Sequence, residues 1–269
     1  MIKSTFNNIT IVIVTYKSSE VIFKCLKNVS KFKNILILDN SNDTILAKKI
    51  KKNFKNVKII LSKKNIGYAK GNNILLRKVK TEFSLILNPD CFFSYNEIFK
   101  VYNFAQIVNE KFLAIGTKQS ASIINAKTVR HYKYYECNYI KGHLMFLNMK
   151  NVKKVNYFDE NFFLYLEEID FCKRGLLNGY KILALDNLKF LHLAARSSND
   201  RKEFVVIRNK AWMWSQYYFY KKYNGLFRSI IKFLPKLSIL YLKKMLFPKN
   251  IAYQARYTGL YNSLLSRKN

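Results

Sequence analysis

Three acidic side chains stand close together in an aromatic and aliphatic segment, ENFFLYLEEIDFCKRG at residues 160–175. They are Glu167, Glu168 and Asp170, in a chain with only 16 Asp and Glu residues and a formal charge of +32. A carboxylate within hydrogen-bond reach of a reacting hydroxyl can act as a general base. Acids are also favoured in the first turn of a helix. The cluster therefore predicts either a site of proton transfer or a capped helix start.

The spacing in this segment predicts a helix from about residue 165. On such a helix, residues 167, 170, 171 and 174 share a face, so Asp170 can pair with Arg174 four residues on. This pairing favours a structural role for Asp170.

The first half of the chain alternates between predicted strands and predicted helices. Apolar runs predict strands at ITIVIVTY (9–16), NILILD (34–39), VKIILS (57–62) and FSLILNPD (83–90), with helical segments between them. Such alternation is typical of a parallel sheet with helices on its faces. Ligands of these sheets bind beyond the carboxyl ends of the strands. The strand ends are therefore the place to look for a binding site.

The first two strand ends carry groups that suit a nucleoside. Thr15 and Tyr16 offer a hydroxyl and an aromatic face, and Asp39 offers a carboxylate to a base or a ribose. Residues of these types are also common turn formers at strand ends, which is the alternative.

The other two strand ends suit phosphate. The loop SKKNIGYAKGNN (62–73) has Gly67 and Gly71 where a helix begins, which permits close backbone approach to an anion. Asp90 of NPD is expected to expose a carboxylate that a hard cation could bridge to phosphate oxygens. Turn formation again remains the alternative.

Composition limits the class of protein. The 269 residues are 49% hydrophobic, enough for one sizeable domain and an appendage. The 48 Lys and Arg residues suit nucleotides, phosphate esters, anionic membrane or nucleic acid, although an AT-rich genome would also enrich Lys.

Cysteine usage and the N-terminus indicate a cytoplasmic protein. The four cysteines are far apart and form no CxxC pair, so neither a disulfide framework nor a zinc knuckle is expected. The N-terminal apolar stretch is short and predicts a first strand instead of a signal peptide. No run reaches the roughly 18 to 20 apolar residues that a membrane span requires.

Several segments together resemble a known family. ITIVIVTYKS, ILDNSND, NIGYAKGNN and LILNPD precede GHLMFLNMKNVKKVNYFDENFFLYLEEIDFCKR and a later histidine, in that order. They resemble the inverting family 2 glycosyltransferases of the GT-A fold, particularly the rhamnosyltransferase-like branch, over residues 9 to about 220. The resemblance implies an α/β fold, with a Rossmann-like nucleotide-binding mixed sheet flanked by helices.

The resemblance also assigns a donor and metal site. NPD resembles the metal-binding DxD element with its first acid replaced by Asn88, which leaves Asp90 to reach Mg²⁺ or Mn²⁺. Related transferases place a metal-ligating histidine about two dozen residues past the base, which corresponds to His192, although a lone histidine is commonly just a hydrogen-bonded imidazole. The implied donor-binding residues are Thr15, Tyr16, Asp39, Asn65, Gly67, Asn72, Asn88 and Asp90.

The catalytic base follows from the same comparison. Family members carry Glu-Asp-x-Asp where this chain has Glu167, Glu168, Ile169 and Asp170, so the base position falls on Glu168. Glu in place of Asp moves the carboxylate by about one methylene, and Glu167 is the fallback. Asp170 is then structural or acceptor-binding. Arg174 and His143 are expected on the acceptor side.

The C-terminal quarter has a different character. Residues 204–223 predict a long aromatic helix, and a second helix follows Gly225, in which Pro235 would bend the helix or mark its first turn. The second helix places Lys232, Lys236 and Lys243 on one face and Leu234, Leu237, Tyr241 and Met245 on another. This pattern favours a helix in the headgroup plane of an anionic membrane, or one that packs on the protein's own core. The expected domains are a GT-A domain at 1–224 and a C-terminal helical, basic amphipathic extension at 225–269.

The expected function is metal-assisted inverting transfer of a sugar from a nucleoside diphosphate donor, dTDP- or UDP-linked, to a glycan or lipid-linked acceptor. Bacterial polysaccharide biosynthesis at the inner face of the cytoplasmic membrane is the expected setting, with no nucleic acid partner. One alternative is a nucleotidyltransferase of similar core, which would not need a base in a second element after NPD. The other is a basic nucleic-acid-binding protein, for which the sequence contains no recognition motif.

Overall fold

The β-branched run near the N-terminus forms a strand that is buried over its whole length, β1 (Ile9–Thr15). The computed structural model describes residues 7–192 and 202–265 of the chain. β1 lies between β2 (Asn34–Asp39) and β4 (Phe83–Leu87), and β3 (Val57–Leu61) pairs with β2, all in parallel. The helices in these connections are α1 (Ser19–Asn28), α2 (Thr44–Asn53) and α3 (Tyr68–Leu76). The predicted alternation is confirmed.

The sheet continues beyond β4 with mixed polarity. Its order is β3-β2-β1-β4-β9-β6-β10-β8-β7, and β9 runs antiparallel to both β4 and β6. The further strands are β5 (Cys91–Phe93), β6 (Phe112–Thr117), β7 (Ala121–Val129), β8 (Tyr132–Ile140), β9 (Leu144–Asn148), β10 (Lys181–Leu185) and β11 (Phe190–His192). The further helices of this region are α4 (Tyr95–Ile107), α5 (Met149–Lys154) and α6 (Glu167–Leu177). A mixed sheet flanked by helices is the predicted architecture.

The carboxyl ends of the parallel strands meet at one edge. Thr15 pairs with Asp39, and Asp39 pairs with Leu61. Because β9 is antiparallel, its first residues reach the same edge, where the Asn88 N–H donates a hydrogen bond to the His143 carbonyl oxygen at 2.9 Å. This edge therefore collects the ends of β1, β2, β3 and β4 with the start of β9.

A two-stranded sheet of β5 and β11 follows the end of β4. Its antiparallel register pairs His192 with Cys91. The polar segment AARSSND after His192 lies outside the described residues.

The described residues divide into two compact units. The first comprises residues 7–66, Lys70–Phe158 and 168–192, and the second comprises Gly67–Ala69, Asp159–Glu167 and 202–265. The predicted domain boundary at residue 224 stays a prediction.

The second unit is built on three helices, α7 (Lys202–Asn224), α8 (Leu226–Leu246) and α9 (Ile251–Leu264). Its core contains Met213, Tyr217, Phe233, Leu240 and Leu260. The predicted helix at 204–223 is confirmed. Pro235 lies well inside α8, so the expectation that it could mark the first turn is wrong. None of the helices in the described ranges is long and apolar enough to cross a bilayer.

Candidate active site

Asp39 organises the loop at the end of β2. Thr15 Oγ1 donates a hydrogen bond to Asp39 Oδ1 at 2.9 Å, and the Ser41 N–H donates to the same oxygen at 3.2 Å. The Asp43 N–H donates to Asp39 Oδ2 at 2.9 Å, and Asp39 itself is fully buried. Its carboxylate holds the loop in place. The predicted contacts of Thr15 and Asp39 with a nucleoside stay predictions.

Asn40 connects this loop to the glycine loop that follows β3. Its side-chain oxygen accepts a hydrogen bond from the Ile66 N–H at 3.2 Å, and the Ser62 N–H donates to the Asp39 carbonyl oxygen at 2.9 Å. The local sequence does not indicate this role of Asn40, because its partner lies in a different loop. Tyr16 and Asn65, two predicted donor contacts, are half-buried at this edge.

The backbone of Gly67 lies very close to the backbone of Phe163. Its φ is +85°, and a Cβ at this position would collide with the Phe163 carbonyl oxygen and lie 2.9 Å from Phe163 Cδ2. The Tyr68 N–H donates a hydrogen bond to the same carbonyl oxygen at 2.7 Å. Gly67 therefore lets the start of α3 contact the segment that leads to Glu167. The predicted approach of Gly67 to a phosphate stays a prediction.

The end of the NIGYAKGNN motif is also structural. A Cβ on Gly71 would lie 3.0 Å from Val14 Cγ1, so Gly71 lets α3 pack closely on β1. Asn72 and Asn73 are both fully buried. The Asn73 side chain donates to the Phe158 carbonyl oxygen at 2.9 Å and accepts from the Phe158 N–H at 3.0 Å. Asn72 was the predicted donor contact, whereas Asn73 was not predicted to have a role, because its partner lies 85 residues away.

Asp90 follows β4 with its side chain turned inward. It is only 2% exposed, so the expectation of an exposed carboxylate at this strand end is wrong. Burial first, and then the nearby charge of Asp90, raises the pKa of the Cys25 thiol to about 12. The pKa of Cys91 is raised by the same two causes, with Cys25 as a third. The charge of Asp90 thus acts on two buried thiols, Cys25 of α1 and Cys91 at the start of β5.

The two predicted histidines lie near the residues that follow β4. The backbone of His192 pairs with Cys91, the residue after Asp90. His143 Nε2 and Ser120 Oγ are hydrogen-bonded at 2.9 Å, and the His143 ring stacks on Phe190 with centroids 5.5 Å apart. The predicted position of His143 on the acceptor side stays a prediction.

The three carboxylates at the start of α6 have different environments. Glu167 is 3% exposed, Asp170 is fully buried, and Glu168 is half-buried. Asp170 Oδ2 lies 2.7 Å from Arg174 Nε, which confirms the predicted ion pair. Glu168 is therefore the most accessible of the three.

Arg174 supports the backbone that leads into this segment. Its guanidinium group donates to the Val155 carbonyl oxygen at 2.5 Å and to the Tyr157 carbonyl oxygen at 2.6 Å, as well as to Asp170. These hydrogen bonds fix the backbone at residues 155–157. This positioning role of Arg174 was not predicted from the sequence. The predicted acceptor contact of Arg174 stays a prediction.

Unusual backbone conformations precede the carboxylates. Tyr165 and Leu166 have φ values of 71° and 67°, in the left-handed region that bulky residues avoid. Ser215 Oγ donates to the Leu164 carbonyl oxygen at 2.9 Å, and the rings of Trp212 and Tyr165 lie 5.6 Å apart, edge to face. Such strain costs on the order of 1–3 kcal/mol per residue and clusters at functional sites.

Residues 140–143 connect α6 with the residue that follows β4. The Cys172 thiol on α6 is hydrogen-bonded to the backbone of Ile140, and the charge of Glu168 raises its pKa, after the larger effect of burial. His143, three residues on, accepts the hydrogen bond from Asn88. Residues 140–143 therefore contact α6 through Ile140 and the residue that follows β4 through His143.

Residues 10–170, more than half of the chain, match the profile of Glycosyl transferase family 2. The chain belongs to this family. The predicted resemblance is thereby confirmed, and the enzyme class is a glycosyltransferase instead of a nucleotidyltransferase.

Two relatives of this glycosyltransferase are similar over most of their length. The low-salt glycan biosynthesis hexosyltransferase Agl10 of Haloferax volcanii is 24% identical over 279 residues, which cover 94% of this chain and 89% of that protein. The rhamnosyltransferase WbbL of Escherichia coli K12 is 23% identical over 243 residues, which cover 76% of this chain and 88% of that protein.

Solved structures of other glycosyltransferases share the fold. The mannosyltransferase PcManGT from Pyrobaculum calidifontis, in complex with GDP-Man and Mn²⁺, has a TM-score of 0.59 and 10% identity, with 97% of this chain and 88% of that chain covered. S. aureus TarS 1-349 has a TM-score of 0.54 and 13% identity, with 97% and 92% covered. The predicted GT-A fold is confirmed.

Proposed function

We propose that this glycosyltransferase moves a sugar from a dTDP- or UDP-linked donor to a glycan or lipid-linked acceptor with inversion, and that Glu168 is the general base. One observation carries the choice of base. Glu168 is half-buried, whereas Glu167 is 3% exposed and Asp170 is fully buried and paired with Arg174. A base must reach the proton that it accepts, which favours the accessible carboxylate.

The proposed reaction is a single displacement. The acceptor hydroxyl donates a hydrogen bond to the Glu168 carboxylate, and its oxygen attacks the anomeric carbon. The bond from this carbon to the diphosphate oxygen breaks on the opposite face, and the hydroxyl proton passes to Glu168. General-base catalysis of this kind contributes about 10²- to 10⁴-fold to the rate.

A divalent metal, Mg²⁺ or Mn²⁺, fits the residues after β4. Asp90 and His192 would hold it, since the β5–β11 register brings His192 opposite the residue that follows Asp90. Residues 7–192 and 202–265 contain no group of three or more His, Cys, Asp or Glu residues that could hold an ion. Diphosphate oxygens of the donor would therefore complete the coordination, as is usual for Mg²⁺. When bound, the metal supplies positive charge to the leaving diphosphate.

The proposed setting is assembly of a surface glycan on the cytoplasmic face of a bacterial membrane. Two relatives support glycan assembly, since one is named for low-salt glycan biosynthesis and the other is a rhamnosyltransferase. PcManGT was solved with GDP-Man and TarS with UDP-GlcNAc, which supports a nucleoside diphosphate sugar as donor.

A donor screen tests the proposal. The purified chain is incubated with Mg²⁺ or Mn²⁺, a panel of dTDP-, UDP- and GDP-sugars and candidate acceptors, and release of nucleoside diphosphate is measured. Glu168→Gln should lower transfer by about 10²-fold or more and should bind donor normally by calorimetry. Glu167→Gln, the matched control, should retain transfer. Full activity of Glu168→Gln together with loss in Glu167→Gln would move the base to Glu167, and full activity of both would refute a base at this site.

A further inference from the structure

Helix α8 carries apolar side chains on two opposite faces. One face packs in the core of the second unit, where Phe233 is 4% and Leu240 is 6% exposed. The opposite face is an outer stripe of Phe227, Ile231, Leu234, Leu242 and Met245, which are 76%, 58%, 52%, 58% and 59% exposed. At 3.6 residues per turn, these five positions fall within about 80° of arc. Large exposed apolar patches commonly mark interaction sites.

The outer stripe differs from the face that the sequence predicts. The sequence groups Leu237 with Leu234 and Met245 on one apolar face, but in the structure Leu237 packs against the core of the second unit. Lys232 Nζ lies 4.0 Å from the centroid of the Tyr220 ring, and Lys236 Nζ donates a hydrogen bond to Gln216 Oε1 at 2.9 Å. These two lysines therefore lie along the side of α8 that faces α7. The outer stripe itself presents an almost wholly apolar surface.

The charged residues of α8, α9 and the link between them all have the same sign. Residues 226–265 contain seven basic residues and no Asp or Glu; the basic residues are Arg228, Lys232, Lys236, Lys243, Lys244, Lys249 and Arg256. A surface with negative charge and an apolar interior complements this combination, and an anionic lipid bilayer has both properties.

A second copy of the chain is a poorer occupant. Pairing two outer stripes would bring together two segments that each carry seven positive charges and no acid to offset them. The stripe spans a helix about 30 Å long, and at about 10 Å of width its area is roughly 300 Å². A stable interface buries about 800 Å² on each partner.

We propose that the outer stripe of α8 inserts into the headgroup region of an anionic membrane. The helix lies in the plane of the bilayer, because it is not apolar enough to cross it. Arg228, exposed about 80° around the helix from the middle of the stripe, and Lys249, exposed beyond the end of α8, approach the lipid phosphates. This binding does not depend on the proposed donor or base, since it uses neither.

Vesicle sedimentation with the full chain tests the proposal. The chain should bind vesicles of equal parts phosphatidylcholine and phosphatidylglycerol, bind pure phosphatidylcholine at least about tenfold more weakly, and lose affinity as salt is raised. The triple variant Phe227→Ser, Ile231→Ser, Met245→Ser should bind the anionic vesicles at least about tenfold more weakly.

A matched control triple is Ile45→Ser, Ile124→Ser, Leu177→Ser, whose side chains are 67%, 56% and 72% exposed outside α8. It should bind vesicles as the wild type does. Both triples should release nucleoside diphosphate equally with a soluble acceptor, which separates failure of docking from failure of the proposed function. Phe227→Ser alone should weaken binding partially, and this keeps the test valid if the stripe triple does not fold.

Three outcomes would overturn the proposal. The first is unchanged vesicle binding by the stripe variants, and the second is an equal loss in the control triple. The third is a wild-type dimer in light scattering that the stripe triple abolishes, which would assign the stripe to a second copy of the chain.

Discussion

The Phe163 carbonyl oxygen accepts a hydrogen bond from the Tyr68 N–H at 2.7 Å, directly beside Gly67. Tyr68 begins α3 in the NIGYAKGNN motif, and Phe163 lies in the segment that leads to Glu167 and Glu168. Two motifs that are far apart in the sequence are therefore joined through backbone groups. This hydrogen bond helps to position the segment before α6, the helix that carries the proposed base.

The first prediction concerns Gly67. Gly67→Ala should lower the free energy of unfolding by about 3 kcal/mol, because Ala at positive φ costs about 1–2 kcal/mol and the new Cβ would collide with the Phe163 backbone. Urea unfolding measures the change. Transfer activity should fall with it, since the segment before Glu168 is displaced.

Gly179→Ala is the matched control for Gly67. Its φ is +77°, and no atom of the described residues lies within 4 Å of a Cβ built there. Gly179→Ala should lower the free energy of unfolding by only about 1–2 kcal/mol, the cost of placing Ala at a positive φ. Equal losses in the two variants would mean that the contact with Phe163 contributes nothing.

The sequence predicted features that depend on local spacing. The alternation of strands and helices follows from runs of apolar residues, and the Asp170–Arg174 pair follows from a separation of one helical turn. Both features are determined by residues that are close together in the sequence, so the apolar pattern and the residue spacing suffice to predict them.

Features that depend on distant partners could not be predicted in the same way. Asn72 and Asn73 are adjacent and chemically identical, and the hydrogen bonds that Asn73 makes with Phe158, 85 residues away, leave no signal in the local sequence. Asp90 is 2% exposed although it follows a strand end, and its burial depends on how distant parts of the chain pack there. Strand-end patterns indicate which residues reach the edge but not which way each side chain turns.

The second prediction concerns Arg174. Removing its charge in Arg174→Met should cost about 3 kcal/mol of unfolding free energy, because Asp170 is fully buried and would lose its ionic partner. Asp170→Leu should cost a similar amount. The double variant should lose less unfolding free energy than the two single variants lose together. The difference should be at least about 1 kcal/mol, since the two side chains interact directly. Strictly additive losses in urea unfolding would contradict the coupling.

The third prediction concerns pH and Asp159. Burial raises the pKa of this carboxyl, but hydrogen bonds from Lys222, the Asn161 N–H and Tyr218 outweigh it, so the pKa lies below its ordinary value of 3.8. A depressed pKa contributes stability that is present above 3.8 and is lost as the pH falls through the folded-state pKa.

Comparison with Asp159→Asn isolates this contribution. At neutral pH the wild type should be more stable by about 1.5–3 kcal/mol, the usual range for hydrogen bonds to a charged group. The difference should shrink as the pH falls below 3.8, because protonation removes the same charge. Lys222→Met should reduce the neutral-pH stability in the same direction, since Lys222 Nζ lies 2.7 Å from Asp159 Oδ2. A difference that stays constant with pH would contradict the depressed pKa.

The last prediction concerns metal binding after β4. Asp90→Asn should weaken Mn²⁺ binding in the presence of nucleoside diphosphate by about tenfold or more, because the amide oxygen is neutral and metals of this class prefer carboxylates. Asn88→Asp should act in the opposite direction, since it adds an acid at a half-buried position two residues before Asp90. Titration of free Mn²⁺ by electron paramagnetic resonance measures both changes without relying on turnover. Asp43→Asn, which alters an acid that caps α2, should leave Mn²⁺ affinity unchanged. Equal affinities of the wild type and Asp90→Asn would remove Asp90 from the proposed metal site, while the proposed role of Glu168 would stand on its own test.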